Sequence, residues 1–380
     1  MTAADPYGHT PARQALELGD VYGLAYDAER AARSPVRLGL VGAGGVVQSK
    51  HLPALWRLRT QWEPVSVVAV AEPNAPVGQK VAALYGCRWY PDLAAMLAAE
   101  PLDAVLVATS DDQHYPCALA ALEHNLHVVV EKPITRSLAQ AAHLCRVAAE
   151  RGRVLVTVAN KRFSPPYRRA HHFINDGPVT APALFVGKFN LGYDYVHLLE
   201  QGTIHLFDLA RYLMGPVTRL HAVGANTYHR NRLGYPLENV AATLEFASGA
   251  VGSLTTSATA LSFKPWERVE VYGNKRWLAV EDQYELILYD AEEGPAQHWR
   301  PAPPNTLLFD EEFGGFTGMH ANFLQAVRGL AAPLATGWDG YHAYELSVAT
   351  HLSILRGRPV SLPLDAAAAD AELAEGVTLA

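Results

Sequence analysis

The sequence predicts an α/β domain on a doubly wound parallel sheet, followed by an α+β domain on an open, predominantly antiparallel sheet. Three observations predict it. From Val36 to about Asn160, short apolar runs rich in β-branched residues alternate with alanine-rich helical segments. The rhythm changes after about residue 158, and beyond Gly215-Pro216 strand-like runs follow one another with turns and no helices between them. The 380 residues also exceed what one compact core usually holds.

In chain order, residues 1–35 precede the first strand signal and are expected to form an N-terminal arm, with a weakly periodic helix over 11–33. The runs VRLGLVG, VSVVAVAE, DAVLVATS, LHVVVEKP and RVLVTVAN suit strands buried on both faces, as in a parallel sheet. Between them APVGQKVAALYG, PDLAAMLAAE, HYPCALAALEH and SLAQAAHLCRVAAERG read as helices. The last opens at Ser137 with Gln140 three residues on, a capping box, and closes at Gly152. Strand and helix alternating at this length imply right-handed crossovers, and the domain is assigned to residues 36–157.

The second domain, 158–338, opens with a helix from Pro165 that stops before Gly177. A second helix, TIHLFDLARYLMG, stops at Gly215-Pro216. LEFASGAVGSLTTS reads as a hairpin across Ser248-Gly249, and RVEVYGN, KRWLAVED and YELILYD follow as strands. In residues 339–380 a long helix is expected to pack back on the first domain, and the tail DAAAADAELAEG to fray.

Composition narrows the function. Apolar residues make up 49% and charged residues 18%, a globular balance. A net charge of -7 supplies no basic field and argues against nucleic acid as a partner. No apolar run approaches the ~18 residues a membrane helix needs, so no membrane partner is expected. The N-terminus lacks a basic and then apolar leader, and the three cysteines form no close pair. Both point to a reduced, cytoplasmic protein. His171-His172 is the single adjacent histidine pair, and helix neighbours diverge, so no metal site is expected.

VGAGGVVQSKH, residues 41–51, begins a G-x-G-x-x-G pattern and breaks it at Val47. It follows a strand and precedes a helix, the context in which backbone amides and a helix N-terminus hold a pyrophosphate. Gly42, Gly44, Gly45 and Val46 are the expected cofactor-binding positions of the turn. The third glycine normally permits close helix packing, so Val47 requires the helix to shift outward. The second strand ends at Glu72, placed to take the ribose hydroxyls of an adenosine and to repel a 2′-phosphate. That favours NAD and leaves NADP open.

The fifth strand runs into EKPI, Glu131–Ile134, and H-x-x-D lies on a later helix. With the glycine turn, VVAVAEP, ATSDDQHYPCALAALEHNLHVVVEKPI, NKRF, GTIHLFDLARYLMG, LEFASGAVG and GRPVSLP, the chain resembles the glucose–fructose oxidoreductase / inositol dehydrogenase / rhizopine catabolism (Gfo/Idh/MocA) family from Val36 to about Leu364. The resemblance implies an N-terminal Rossmann domain and an NAD(P)-dependent dehydrogenase or reductase. Its substrate would be a secondary alcohol or ketone of a sugar, sugar derivative or cyclitol. It also implies a homodimer or homotetramer formed through the second domain's sheet.

Residue by residue, the resemblance makes Lys132 the catalytic-site lysine, which also contacts the cofactor, and His205 the proton donor or acceptor. Asn160, Arg162 and Asp208 become substrate-binding positions. Thr109, Ser110, His114 and Glu131 join the cofactor set. Many members carry Asp four residues before the helix histidine, where this chain has Gln201. Either Glu200 substitutes for it from a non-helical lead-in, or His205 works with a different partner.

The chemistry suits these residue types. Oxidising a secondary alcohol sends a hydride to the nicotinamide and a proton to a base of matched pKa, which histidine has unperturbed. A lysine ammonium at the same oxygen stabilises the developing alkoxide. Two alternatives stay open: a glycosidase-like enzyme that oxidises its sugar transiently on retained NAD, and a non-catalytic NAD-binding regulator.

Overall fold

The computed structural model describes residues 33–61, 63–191, 195–229, 232, 234–259, 266–290, 296–300 and 314–377. The arm expected over residues 1–35 lies, up to residue 32, outside them. The described residues divide into two compact units. One comprises 33–131, 144–165 and 314–336, and the other 132–143, 166–300 and 337–377.

The first unit is a six-stranded sheet in the order β3-β2-β1-β4-β5-β6. Its strands are β1 Val36–Val41, β2 Val65–Ala71, β3 Arg88–Tyr90, β4 Ala104–Val107, β5 His127–Val130 and β6 Leu155–Thr157, paired in parallel throughout. Every residue of β4 is buried, which is why its sequence shows no alternation. The connecting helices are α1 Leu52–Gln61, α2 Ala75–Tyr85, α3 Leu93–Ala99, α4 His114–Glu123 and α5 Leu138–Glu150. Asn74 caps α2 through its side chain, and Gly86 closes it at φ +66°.

Two boundaries differ from the sequence reading. The first unit continues through a 3-10 turn, Asn160–Phe163, and recruits α8, Phe316–Val327. Met319, Phe323 and Leu324 of α8 share one apolar core with Leu55 and Leu58 of α1 and with Phe163. Burying such a side chain stabilises by about 1.5–3 kcal/mol, enough to hold the helix in this unit. The long helix α9, Gly337–Arg356, instead belongs to the second unit. The reason is visible in its packing partners, the His205-bearing helix α7, Ile204–Met214, and β8, Val217–Ala225.

The second unit carries a nine-stranded sheet in the order β14-β13-β12-β11-β7-β10-β9-β8-β15. Beyond β8 it contains β7 Leu184–Asn190, β9 Asn239–Phe246, β10 Val251–Ser257, β11 Glu267–Tyr272, β12 Trp277–Glu281, β13 Glu285–Tyr289, β14 Gln297–Trp299 and β15 Val360–Ser361. All pairings are antiparallel except β7 with β10. The expected β9–β10 hairpin turns at Gly249, at φ +88°. Strand β9 alternates buried and exposed residues along most of its length, as a one-sided sheet requires. The helix expected from Pro165 is α6, Pro165–Asn175, and α7 stops at Gly215, at φ +87°.

The tail does not fray. Residues Ala366–Val377 form α10, and its Asp370 caps α5. The carboxylate accepts from Ser137 Oγ at 2.6 Å, Leu138 N at 2.8 Å and Ala139 N at 3.0 Å. Ser137 Oγ still accepts from Gln140 N at 3.2 Å, while Ser137 N, the amide that Gln140 would take in a capping box, donates to Thr135 Oγ1 at 3.2 Å.

Candidate functional site

The glycine turn joins β1 to a π-helical segment, Val47–His51, that continues into α1. Gly42 sits at φ +96°, and a Cβ there would lie 2.4 Å from the Ala108 carbonyl oxygen, so only glycine fits. A Cβ on Gly44 or Gly45 would meet nothing within 4 Å. That open surface lies where the first helical amides have no partner inside the helix, the arrangement that takes phosphate oxygens. Val47 is fully buried at the start of the π segment. The helix accommodates it by widening, with Leu52 N donating to Val47 O across five residues rather than four.

Glu72 is fixed beside this turn. Its Oε2 accepts from Ala43 N and its Oε1 from Asn74 N, both at 2.9 Å. A carboxylate offers about four acceptor positions, so two bonds leave capacity for a ribose diol. These residues therefore fit a dinucleotide: the turn for the phosphates, Glu72 for the adenosine ribose. After β4, Ser110 is exposed and Thr109 half-buried, whereas His114 is only 1% exposed. Its imidazole, expected on the cofactor loop, is enclosed within the first turn of α4.

Glu131 also departs from expectation. It is buried, and its Oε1 lies 2.9 Å from Nε2 of His51. His51 is itself wholly buried, with Nδ1 2.9 Å from Nε2 of His320 on α8. Burial, reinforced by the neighbouring His51, holds the His320 imidazole well below the usual histidine range.

Asn160 and Arg162, expected to meet substrate, are turned into the first unit. Asn160 Nδ2 donates to Gly314 O at 2.7 Å, and Arg162 Nη1 to Leu334 O at 3.0 Å. Both are buried because Gly315, at φ +80°, brings its backbone against the 160–164 turn. A Cβ on Gly315 would stand 2.1 Å from Asn160 O.

The second unit holds the expected acid–base pair. Lys132 is half-buried, and its peptide bond to Pro133 is cis. Its Nζ donates to the Gln201 carbonyl at 2.9 Å. Gln201 belongs to another π segment, Leu198–Thr203, that leads directly into α7. The half-buried His205 stands in the first turn of that helix. The Gln201 side chain turns away and accepts from His197 N at 3.0 Å. Glu200 Oε2 lies 3.9 Å from Arg136 Nε. The lead-in is thus helical, not the non-helical segment from which Glu200 was expected to substitute for the aspartate. Asp208, expected at the substrate, stands one turn past His205 and is 5% exposed.

Behind the lead-in lies a polar pair that sequence reading missed. Tyr235 Oη is 2.6 Å from His351 Nε2, and the His197 ring meets Tyr235 edge-on at 4.6 Å. Burial pushes the His351 imidazole down to about 4, against a weaker upward pull from the Ser347 carbonyl, with His197 lowering it further. Among the described residues no group of three or more His, Cys, Asp or Glu could hold a metal ion. No described helix is long and apolar enough to cross a membrane.

Comparison with known proteins agrees with this geometry. Residues 36–159 match the profile of an oxidoreductase family's NAD-binding Rossmann fold, and residues 197–362 that family's C-terminal alpha/beta domain. The chain belongs to the Gfo/Idh/MocA oxidoreductase family. Among its Gfo/Idh/MocA relatives, the D-apiose dehydrogenase of Paraburkholderia graminis is 26% identical over 342 residues, covering 85% of this chain and 88% of that protein. The inositol 2-dehydrogenase of Rhizobium meliloti is 25% identical over 346 residues, covering 86% and 99%. A levoglucosan dehydrogenase solved with NADH and L-sorbose superposes with a TM-score of 0.78 at 20% identity, covering 87% of this chain and all of that one. As a Gfo/Idh/MocA member the chain is an NAD-dependent oxidoreductase.

Proposed function

We propose that this enzyme exchanges a hydride between NAD and a secondary alcohol or ketone of a sugar, sugar derivative or cyclitol, with Lys132 and His205 as its catalytic residues. The observation that carries the reading is the bond from Lys132 Nζ to the Gln201 carbonyl. It fixes the lysine ammonium against the segment that delivers His205. The relatives supply the substrate class: apiose and inositol are the compounds their names carry.

When bound, the nicotinamide supplies the hydride acceptor. His205 takes the hydroxyl proton, a role that requires a base matched to the working pH. Lys132 stabilises the oxygen as it gains charge. Glu72 and Ala43–Val46 hold the adenosine ribose and the phosphates, with NAD preferred to NADP because Glu72 would repel a 2′-phosphate. The exposed flank of the nine-stranded sheet, where Val223 is 61% and Val251 50% exposed, supports a homo-oligomer built through that face. The three cysteines are free thiols, in keeping with a cytoplasmic setting.

The test is NADH appearance in the near ultraviolet when the enzyme meets NAD and a panel of pentoses, hexoses, anhydrosugars and inositols, with NADP in parallel. Turnover on one class with NAD is the expected result. Silence across the panel, with NAD retained by the purified protein, would replace this reading with transient oxidation or regulation.

A further inference from the structure

We infer that His51 is a positioning residue that couples the phosphate-binding turn to the turn carrying Lys132. The inference rests on the reading of the glycine turn as the phosphate site and of Lys132 as catalytic.

His51 ends the π segment that begins at the glycine turn, and it has no exposed surface. Its Nε2 meets Glu131 Oε1 at 2.9 Å, and Glu131 is the residue immediately before Lys132. The Glu131 main chain is bonded at 2.9 Å to Val107 O at the end of β4. One side-chain bond therefore fixes the remaining rotation of the residue from which Lys132 departs. The Phe316 and His320 rings each meet His51 edge-on, with centroids 5.1 Å away, and leave the imidazole no alternative position.

Proton counting gives the bond a direction. An ionised Glu131 can only accept, in which case the hydrogen lies on His51 Nε2 and the bond is a donation to the carboxylate. Nδ1 then shares one hydrogen with His320. Stability alone does not call for this arrangement. A carboxylate and two imidazoles taken out of water cost free energy that three apolar side chains of similar volume would not. What the polar chain adds is direction: any movement of the π segment on binding phosphate is passed to Glu131 and on to Lys132.

The test is hydrogen exchange followed by mass spectrometry on the full chain, with and without ADP-ribose. This probe carries the pyrophosphate and lacks the nicotinamide. In the wild type, ADP-ribose is expected to slow exchange at the glycine turn and also over residues 131–136. In His51→Leu the turn is still protected, protection over 131–136 is lost, and kcat falls roughly 10- to 100-fold at unchanged KM for NAD. His51→Gln, whose amide nitrogen can reach Glu131 as a donor, restores both. Protection over 131–136 that survives in His51→Leu overturns the inference, as does a loss of protection spread through the whole first unit. Should His51→Leu fail to fold, His51→Asn, whose shorter amide cannot reach Glu131, takes its place, and protection over 131–136 that survives there overturns the inference. ADP-ribose that does not bind the wild type sinks the cofactor reading and the coupling together. Binding without protection over 131–136 sinks the coupling only.

Discussion

Lys132 Nζ donates to the main-chain oxygen of Gln201, four residues before His205, at 2.9 Å. By the family resemblance, many members carry aspartate where this chain has Gln201. Here the backbone of that residue serves the lysine, and its side chain serves His197 N. Lys132→Ala is expected to lower kcat by about 10²- to 10⁴-fold while the affinity for NAD, measured by calorimetry, stays unchanged. Undiminished turnover would remove Lys132 from the chemistry.

Gly42 and Gly44 should respond differently to the same substitution. Gly42→Ala forces a Cβ onto the Ala108 carbonyl at a left-handed φ, and is expected to destabilise the fold by about 1–3 kcal/mol or more. Gly44→Ala meets no protein atom, so its melting temperature should match wild type while NAD binds more weakly. Calorimetric scans and NAD titrations of the two variants check this contrast.

Glu72 holds two backbone amides as well as any ribose. Glu72→Ala is expected to cost about 1–3 kcal/mol of stability and to weaken NAD, while narrowing the gap between NAD and NADP. A variant that retains wild-type coenzyme preference would show that Glu72 has no part in reading the ribose.

The buried histidines set an acid limit. An unfolded histidine titrates near pH 6.5. His351 in the folded chain titrates near 4, chiefly because burial penalises its charged form. Between those values the unfolded chain binds the extra proton, so stability falls as the pH drops from about 6.5 towards 4, by about 3 kcal/mol for this residue. His320 acts in the same direction. Urea unfolding at several pH values should show the slope, and His351→Gln, which can still accept from Tyr235, should flatten it.

Asp370 joins the last helix to the segment that follows Lys132. Asp370→Ala removes the acceptor of three hydrogen bonds at the start of α5, and is expected to cost about 1–2 kcal/mol. Denaturant midpoints measure it. A loss below about 0.5 kcal/mol would mean that Ser137 caps the helix unaided.

How much of this was legible depended on how far apart the interacting residues lie. The β4 run AVLV, the stop at Gly215-Pro216 and the hairpin at Ser248-Gly249 are local, and each appears where the residues put it. The long helix was legible as a helix. Its packing side was not, because Tyr341, Ala343, Tyr344, Val348 and Leu352 are buried around much of its circumference. The family resemblance, not any local signal, places the turn residues Asn160 and Arg162 at the substrate. Gly314 and Gly315, some 150 positions later, enclose that turn, and nothing near it in sequence announces them. His51 was invisible as a functional residue for the same reason, since its partners lie 80 and 269 positions away.

Because α8 returns to the first unit after eight of the nine strands of the second sheet have been made, the nucleotide-binding half is not a severable module. A fragment ending near residue 165 would leave Leu55, Leu58 and Phe163 without the side chains of Met319, Phe323 and Leu324, and His51 without His320. Recombination that grafts this half onto another partner must therefore carry two stretches of chain rather than one. A polypeptide emerging from the ribosome likewise completes its Rossmann half only after most of the second unit has been synthesised.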